Sequence, residues 1–161
     1  RSILLTKEIY ASLLNSIKVH APHTLKHVLY DTGYRSGLQN ATEAREYFGN
    51  IEECLRYLLN VMENNGMGKL ELLSFDPSSA RVKLRCYDSY EVDIADQFGG
   101  LYRAPQVICD LLRGTFAAYL TVLFEQEMIC EELLCKSMGE KYCEFVAMPY
   151  PKDLLGKGGA L

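Results

Sequence analysis

An α+β fold is predicted, with N-terminal helices packed on an antiparallel sheet built from two β-hairpins separated by a long buried helix. Three observations predict it. Apolar residues recur at helical spacing up to Gly66. They switch to strand-like alternation in KLELLSF and RVKLRCY. A long apolar run opened by Cys109 then leads into a second alternating pair. The 161 residues are read as a single domain, mainly helical over 1–66, hairpin–helix–hairpin over 67–150, and a tail over 151–161.

Thr6 is placed to cap a first helix reaching about Val19, with Ile9, Leu13 and Ile17 as its stripe and Tyr10 and Leu14 beside it. Pro22 ends it. A second helix is predicted from Thr24 to about Gly37, with Leu25, Val28 and Leu29 inward. Gly33 and Gly37 stand four apart, and two readings of them are equally open. They let another backbone approach closely, or they simply end the helix. The stretch from Asn40 to Gly49 is ambiguous, with a helical turn from Thr42 as one reading. Asn50, with Glu53 three residues on, forms a capping box for the clearest helix of this half. Ile51, Cys54, Leu55, Leu58, Val61 and Met62 make its buried face, and Asn64-Asn65-Gly66 stops it.

Lys69 to Phe75 and Ala80 to Tyr87 then pair as a hairpin around the turn Asp76-Pro77-Ser78-Ser79. Asp88 to Asp96 is read as a short strand followed by a loop through Gly99-Gly100. The long helix is placed at Ala104 to about Glu125, with Pro105 in its first turn. It is apolar around most of its girth, and Asp110 and Arg113 mark a narrow wet side. Met128 to Cys135 and Tyr142 to Met148 form the second hairpin, and Pro149 and Pro151 end the sheet.

Composition narrows the function classes. A net charge of −4 leaves no basic footprint, so nucleic acid is not an expected partner. The longest near-apolar stretch, Thr115 to Phe124, is too short for a membrane span. Six cysteines in a chain of this size, with no sign of secretion, point to metal ligands or buried hydrophobes ahead of disulfides, and a cytoplasmic location is expected. Cys54, Cys86 and Cys130 sit inside apolar patterns as small hydrophobes.

Cys109, Glu132, Cys135 and Cys143 make a plausible tetrahedral donor set for zinc. Cys109 would come from the first turn of the long helix, and the other three from the last hairpin. With four protein ligands the site is closed, which argues for a structural ion. Strand alternation puts Glu131, not Glu132, on the face of Cys135, so either a bulge intervenes or Glu131 is the ligand.

The pattern CDLLRGTFAAYL, then EELLC, then a hairpin ending GEKYCEF resembles the 4-vinyl reductase domain, a small-molecule-binding or hydrocarbon-binding family. LYDTGYRSG is similar to that family's helix with two spaced glycines. The resemblance spans about residues 29–149. It implies zinc held by Cys109, Glu132, Cys135 and Cys143, deciding for Glu132 over Glu131. It also implies fold kinship with subunits of a vesicle-tethering particle, and a homodimer. The chain departs from the phenol-sensing members in having no Trp, and its three His cluster at residues 20, 23 and 27, so phenol specificity does not carry over.

The expected function is binding or sensing of a small apolar ligand between Phe116, Tyr119 and Leu123 on the long helix and Leu58 and Met62 on the helix after Asn50. Plain core is the competing reading of those five. An enzyme or enzyme accessory of tetrapyrrole or aromatic metabolism is the alternative, with only Tyr87, Tyr90 and Tyr119 as candidate acid–base groups. A ligand-free interaction subunit is the third. No dinucleotide or flavin motif is present, so no catalytic residues are assigned.

Overall fold

The computed structural model describes residues 6–98 and 105–151. Five helices run through it: α1 (Lys7–His20), α2 (Leu25–Arg45), α3 (Ile51–Asn64), α4 (Tyr90–Gln97) and α5 (Asp110–Phe124). Four strands, β1 (Leu70–Asp76), β2 (Arg81–Cys86), β3 (Met128–Leu134) and β4 (Cys143–Pro149), form one antiparallel sheet in the order β1-β2-β4-β3. The α+β fold is as predicted. Gly99-Gly100, Ala104 and residues 152–161 of the tail lie outside the described residues.

Local chemistry accounts for most boundaries. Thr6 Oγ1 accepts from the Ile9 N–H, and Asn50 Oδ1 accepts from the Glu53 N–H at 3.1 Å, so both N-caps form where the sequence puts them. Asp76 holds the first hairpin turn by accepting from the Ser78 N–H and from the hydroxyls of Ser78 and Ser79.

The inner face of the sheet carries Val82, Leu84, Cys86, Cys130, Phe145 and Ala147, all buried, and α3 and α5 cover it. Phe116 meets Phe145 edge-on at 5.1 Å between centroids. The other face is polar. Lys83 and Arg85 flank Glu144 at 2.6 and 3.0 Å, and Arg85 lies 3.8 Å over the Tyr142 ring.

α2 crosses α5 at very close range, and the glycines are the reason. A Cβ on Gly33 would lie 2.1 Å from the Leu111 carbonyl oxygen, and one on Gly114 would lie 2.0 Å from that of Tyr30. Gly33 and Gly37 therefore admit a neighbouring backbone and do not end the helix, which runs on to Arg45. Because α5 occupies them, they are not available as a contact between two copies of the chain.

Five further expectations are corrected. On α1 the buried residues are Ala11 and Leu14, while Ile9 and Leu13 are more than half exposed. Val28 on α2 also faces solvent. Residues 90–97 are helical, not extended. The long helix begins at Asp110, leaving Pro105 and Cys109 in the segment before it. Asp110 is 2% exposed, so it does not mark a wet side; its carboxylate takes an ion pair from Arg113 at 2.7 Å. That burial pushes the Asp110 carboxyl above its ordinary range, against the pull of Arg113.

Candidate metal centre

Cys109 is the N-cap residue of α5. Its own N–H donates to Glu132 Oε2 at 3.0 Å. Further along the first turn, the N–H groups of Leu111 and Leu112 each donate at 3.0 Å to one carboxylate oxygen of Glu91 on α4. Two carboxylates from distant elements thus satisfy the helix start that no local side chain caps. This tertiary cap is why α5 begins where it does and why Cys109 is held at its mouth.

β3 solves the parity problem with a bulge. Its pairing with β4 shifts register between Glu132 and Leu134. Cys130 and Glu132 point inward before the shift, Cys135 points inward after it, and Glu131 is exposed. Cys143 opens β4 and faces the same space, and a short turn at Lys136–Met138 joins the two strands.

The four donor atoms of Cys109, Glu132, Cys135 and Cys143 lie within 4.8 Å of one another. Cys143 Sγ is 3.6 Å from that of Cys109 and 3.8 Å from that of Cys135. A tetrahedron with metal–sulfur bonds of about 2.3 Å has edges of about 3.8 Å. The sulfurs are far beyond the bonding distance of a disulfide, and all six cysteines are free thiols. Glu132 Oε1 is buried with no hydrogen-bond partner, while Oε2 is committed to Cys109. An orphaned carboxylate oxygen facing three sulfurs is a donor set suited to a divalent cation, so the residues fit a metal.

Without an ion, the cluster is electrostatically tense. Burial pushes the Glu132 carboxyl up to about 8, and the nearby Cys135 sulfur adds to this. Burial likewise drives the Cys109 thiol well up. Cys135 is drawn strongly down, because Cys109, Cys143 and Ser137 all donate toward it. A divalent cation at this place would favour the deprotonated thiols, since thiolates are the form that ligates.

Cys86 lies opposite Cys143 across β2 and β4, yet is outside the four-atom group, and burial keeps its thiol up at about 12. Sequence reasoning missed Glu91, Ser89 and Ser137. Ser89 Oγ lies 3.2 Å from Cys109 Sγ, and Ser137 Oγ lies 3.0 Å from Cys135 Sγ. Only Ser137 carries a local signal, two residues after a ligand.

The five residues expected around an apolar ligand are all buried within one core cluster. Leu58 also lines a groove of about 550 Å³ with Phe48, Tyr47, Tyr57 and Val61. Met62, Phe116, Tyr119 and Leu123 are not among its lining residues. Of the three candidate tyrosines, Tyr87 donates to Glu71 at 2.6 Å on the open sheet face. Tyr119 is buried and Tyr90 partly buried, and desolvation pushes both hydroxyls up.

Residues 90–149 match the family model described as the V-4-R (4-vinyl reductase) domain. No curated protein sequence matches the chain. Among solved structures, it is similar to the phenol-responsive sensory domain of the transcription activator PoxR, solved with phenol. That similarity has a TM-score of 0.82 at 20% identity, over 99% of this chain and 79% of the other. A vinyl-4-reductase family protein from Methanocaldococcus jannaschii aligns with a TM-score of 0.59 at 19% identity, over 94% and 85% of the two chains. A trafficking protein particle complex subunit 3 from Naegleria fowleri, covalently bound to palmitic acid, gives 0.55 at 12% identity, over 90% and 95%. The kinship with tethering subunits expected from the sequence is thus present in the fold. Over residues 90–149, the segment that supplies all four members of the cluster, this chain matches the 4-vinyl reductase domain.

Proposed function

We propose that this protein is a small-molecule-sensing domain, without catalytic activity, whose last hairpin is pinned to α5 by a structural zinc. The observation that carries the metal half is the donor set: three mutually close sulfurs and one orphaned carboxylate oxygen, all buried. When bound, zinc neutralises thiolates and ties together segments more than twenty residues apart, with no redox chemistry. The six free cysteines suit a reducing, cytoplasmic compartment.

Zinc stoichiometry by elemental analysis tests this on wild type and four variants. Cys135→Ser and Cys143→Ser should yield aggregated or zinc-free protein. Structural zinc contributes on the order of 10 kcal/mol of apparent binding free energy, more than the ~2–5 kcal/mol of a core truncation. Glu132→Gln should be milder, since an amide oxygen still ligates but lacks charge. Cys130→Ser should keep the metal. A zinc-free wild type, or loss on Cys130→Ser but not on Cys135→Ser, refutes the assignment.

The sensing half is supported by the 4-vinyl reductase segment, by the likeness in fold to a phenol-responsive sensory domain, and by the aromatic groove beside Leu58. An aromatic or acyl compound would enter there and reach the cluster of Met62, Phe116, Tyr119 and Leu123 by displacing packed side chains. Such compounds should raise the melting temperature, because a ligand of the native state alone stabilises it by mass action. A broad screen without any shift favours an interaction subunit instead. A homodimer through the N-terminal helices belongs to the same reading, supported by the exposed Ile9 and Leu13 of α1. Equilibrium sedimentation giving a monomer of 18.2 kDa at tens of micromolar would exclude it.

A further inference from the structure

Charge is the difficulty a metal in this cluster has to overcome. Three thiolates and one carboxylate around a divalent ion leave a net negative centre, and its cysteines are fully buried. A buried anion is stable only when donors surround it. The fold supplies one donor for each ligand. The Ser89 hydroxyl faces Cys109 Sγ at 3.2 Å, and the Ser137 hydroxyl faces Cys135 Sγ at 3.0 Å. The Lys136 N–H points to Cys143 Sγ at 3.5 Å, and the Cys109 N–H bonds Glu132 Oε2 at 3.0 Å.

Two of these donors are side chains, and for each a second bond competes with the one to sulfur. Ser89 is the N-cap residue of α4, where a serine hydroxyl ordinarily accepts from the helix and stabilises it by about 1 kcal/mol. Here it makes no cap bond and is 2% exposed beside the sulfur. Ser137 lies within reach of both Cys135 Sγ and the Gln106 carbonyl, but its hydroxyl has a single proton. A thiolate is the stronger acceptor, because charge-assisted bonds exceed neutral ones.

We propose that Ser89 and Ser137 are positioning residues of the metal site, each donating its hydroxyl to one ligand sulfur and so setting how tightly the ion is held. The proposal rests on the metal reading above. It reaches two residues outside the ligand set, one of them, Ser89, twenty positions before the first ligand.

The test uses the full chain, with Ser89→Ala, Ser137→Ala and, as a control, Ser79→Ala, whose hydroxyl bonds only Asp76 in an exposed turn. Zinc affinity is measured by chelator competition. Cobalt is then substituted, and the sulfur-to-metal charge-transfer band is recorded. Each of the two site variants should weaken zinc by about 10–100-fold, the usual effect of removing an outer partner of a metal ligand. Each should also move the band to lower energy, because a sulfur that loses a hydrogen bond gives up its electrons more readily. A purely structural role would not move that band. Ser79→Ala should change neither. If wild type binds zinc and both site variants match its affinity and spectrum, the proposal is overturned while the metal reading stands. If wild type binds no zinc, the metal reading itself falls. Should one variant fail to fold, the other decides, since the two serines serve different sulfurs.

Discussion

Replacing Gly33 with Ala tests the packing that holds the site's main helix. The new Cβ would sit 2.1 Å from the Leu111 carbonyl oxygen, where real contacts essentially never fall below 3.0 Å, so the helices must part locally by the difference of 0.9 Å. The obstacle is main chain, and no side-chain rotation relieves it. Overpacking costs ~1–3 kcal/mol or more, and a backbone obstacle belongs at the upper end. Removing a glycine from a helix returns about 1 kcal/mol. The net loss is about 2 kcal/mol, read as a fall of roughly 1 M in the urea midpoint for a domain of this size. Gly114→Ala meets the Tyr30 carbonyl oxygen at 2.0 Å and should cost as much. The two sites are reciprocal, so parting the helices for one relieves part of the strain at the other. The double variant should therefore lose less than the sum. Gly49→Ala, with nothing within 4 Å of its Cβ, is the control. A Gly33→Ala midpoint equal to that of Gly49→Ala, or strictly additive losses in the double variant, would refute the close-packing argument.

Three further outcomes are expected. Burial pushes the Glu91 carboxyl up to about 8, above its unfolded value near 4.5. Its contribution to metal-free stability is thus fully present below about pH 4.5 and is lost as pH rises through 8. Urea midpoints should fall across that window and fall less steeply for Glu91→Gln, with Glu132 contributing a residual slope in the same direction. Asn50→Ala removes the bond to the Glu53 N–H and should cost about 1 kcal/mol by urea unfolding, with no change in bound metal. Asp76→Ala should lower the midpoint by a similar amount, since it strips the turn of its bonds to Ser78 and Ser79. Thermal melts that leave either variant unchanged would show that these termini are held by packing alone.

What the sequence reveals follows the range of the forces involved. The cap at Asn50, the turn at Asp76 and the alternation of both hairpins are local, and the chain announces them. Residues 90–97 are not legible as a helix, because YEVDIADQ carries three acids in eight residues and buries one of them. Glu91 goes inward to bond the start of α5 about twenty residues later, a reason no local pattern contains. The same distant bond moves the start of α5 past Pro105. Gly33 and Gly37 read equally as a stop because their partner, α5, is some eighty residues away. The four cysteine and glutamate positions stand out by residue type and spacing, but the parity of Glu132 depends on a bulge that only the pairing with β4 reveals.

The complete burial of Cys109, Cys135 and Cys143 has a kinetic consequence. The zinc proposed above would find none of those sulfurs exposed at the surface of the described residues. Entry and exit require the segment before α5 or the Lys136–Met138 turn to swing away, and both carry hydrogen bonds that must break first. Loading is then fastest while the chain is still folding, and release is gated by local unfolding. A strong chelator added to the folded protein should strip metal at a rate independent of chelator concentration, set by how often this corner of the molecule opens.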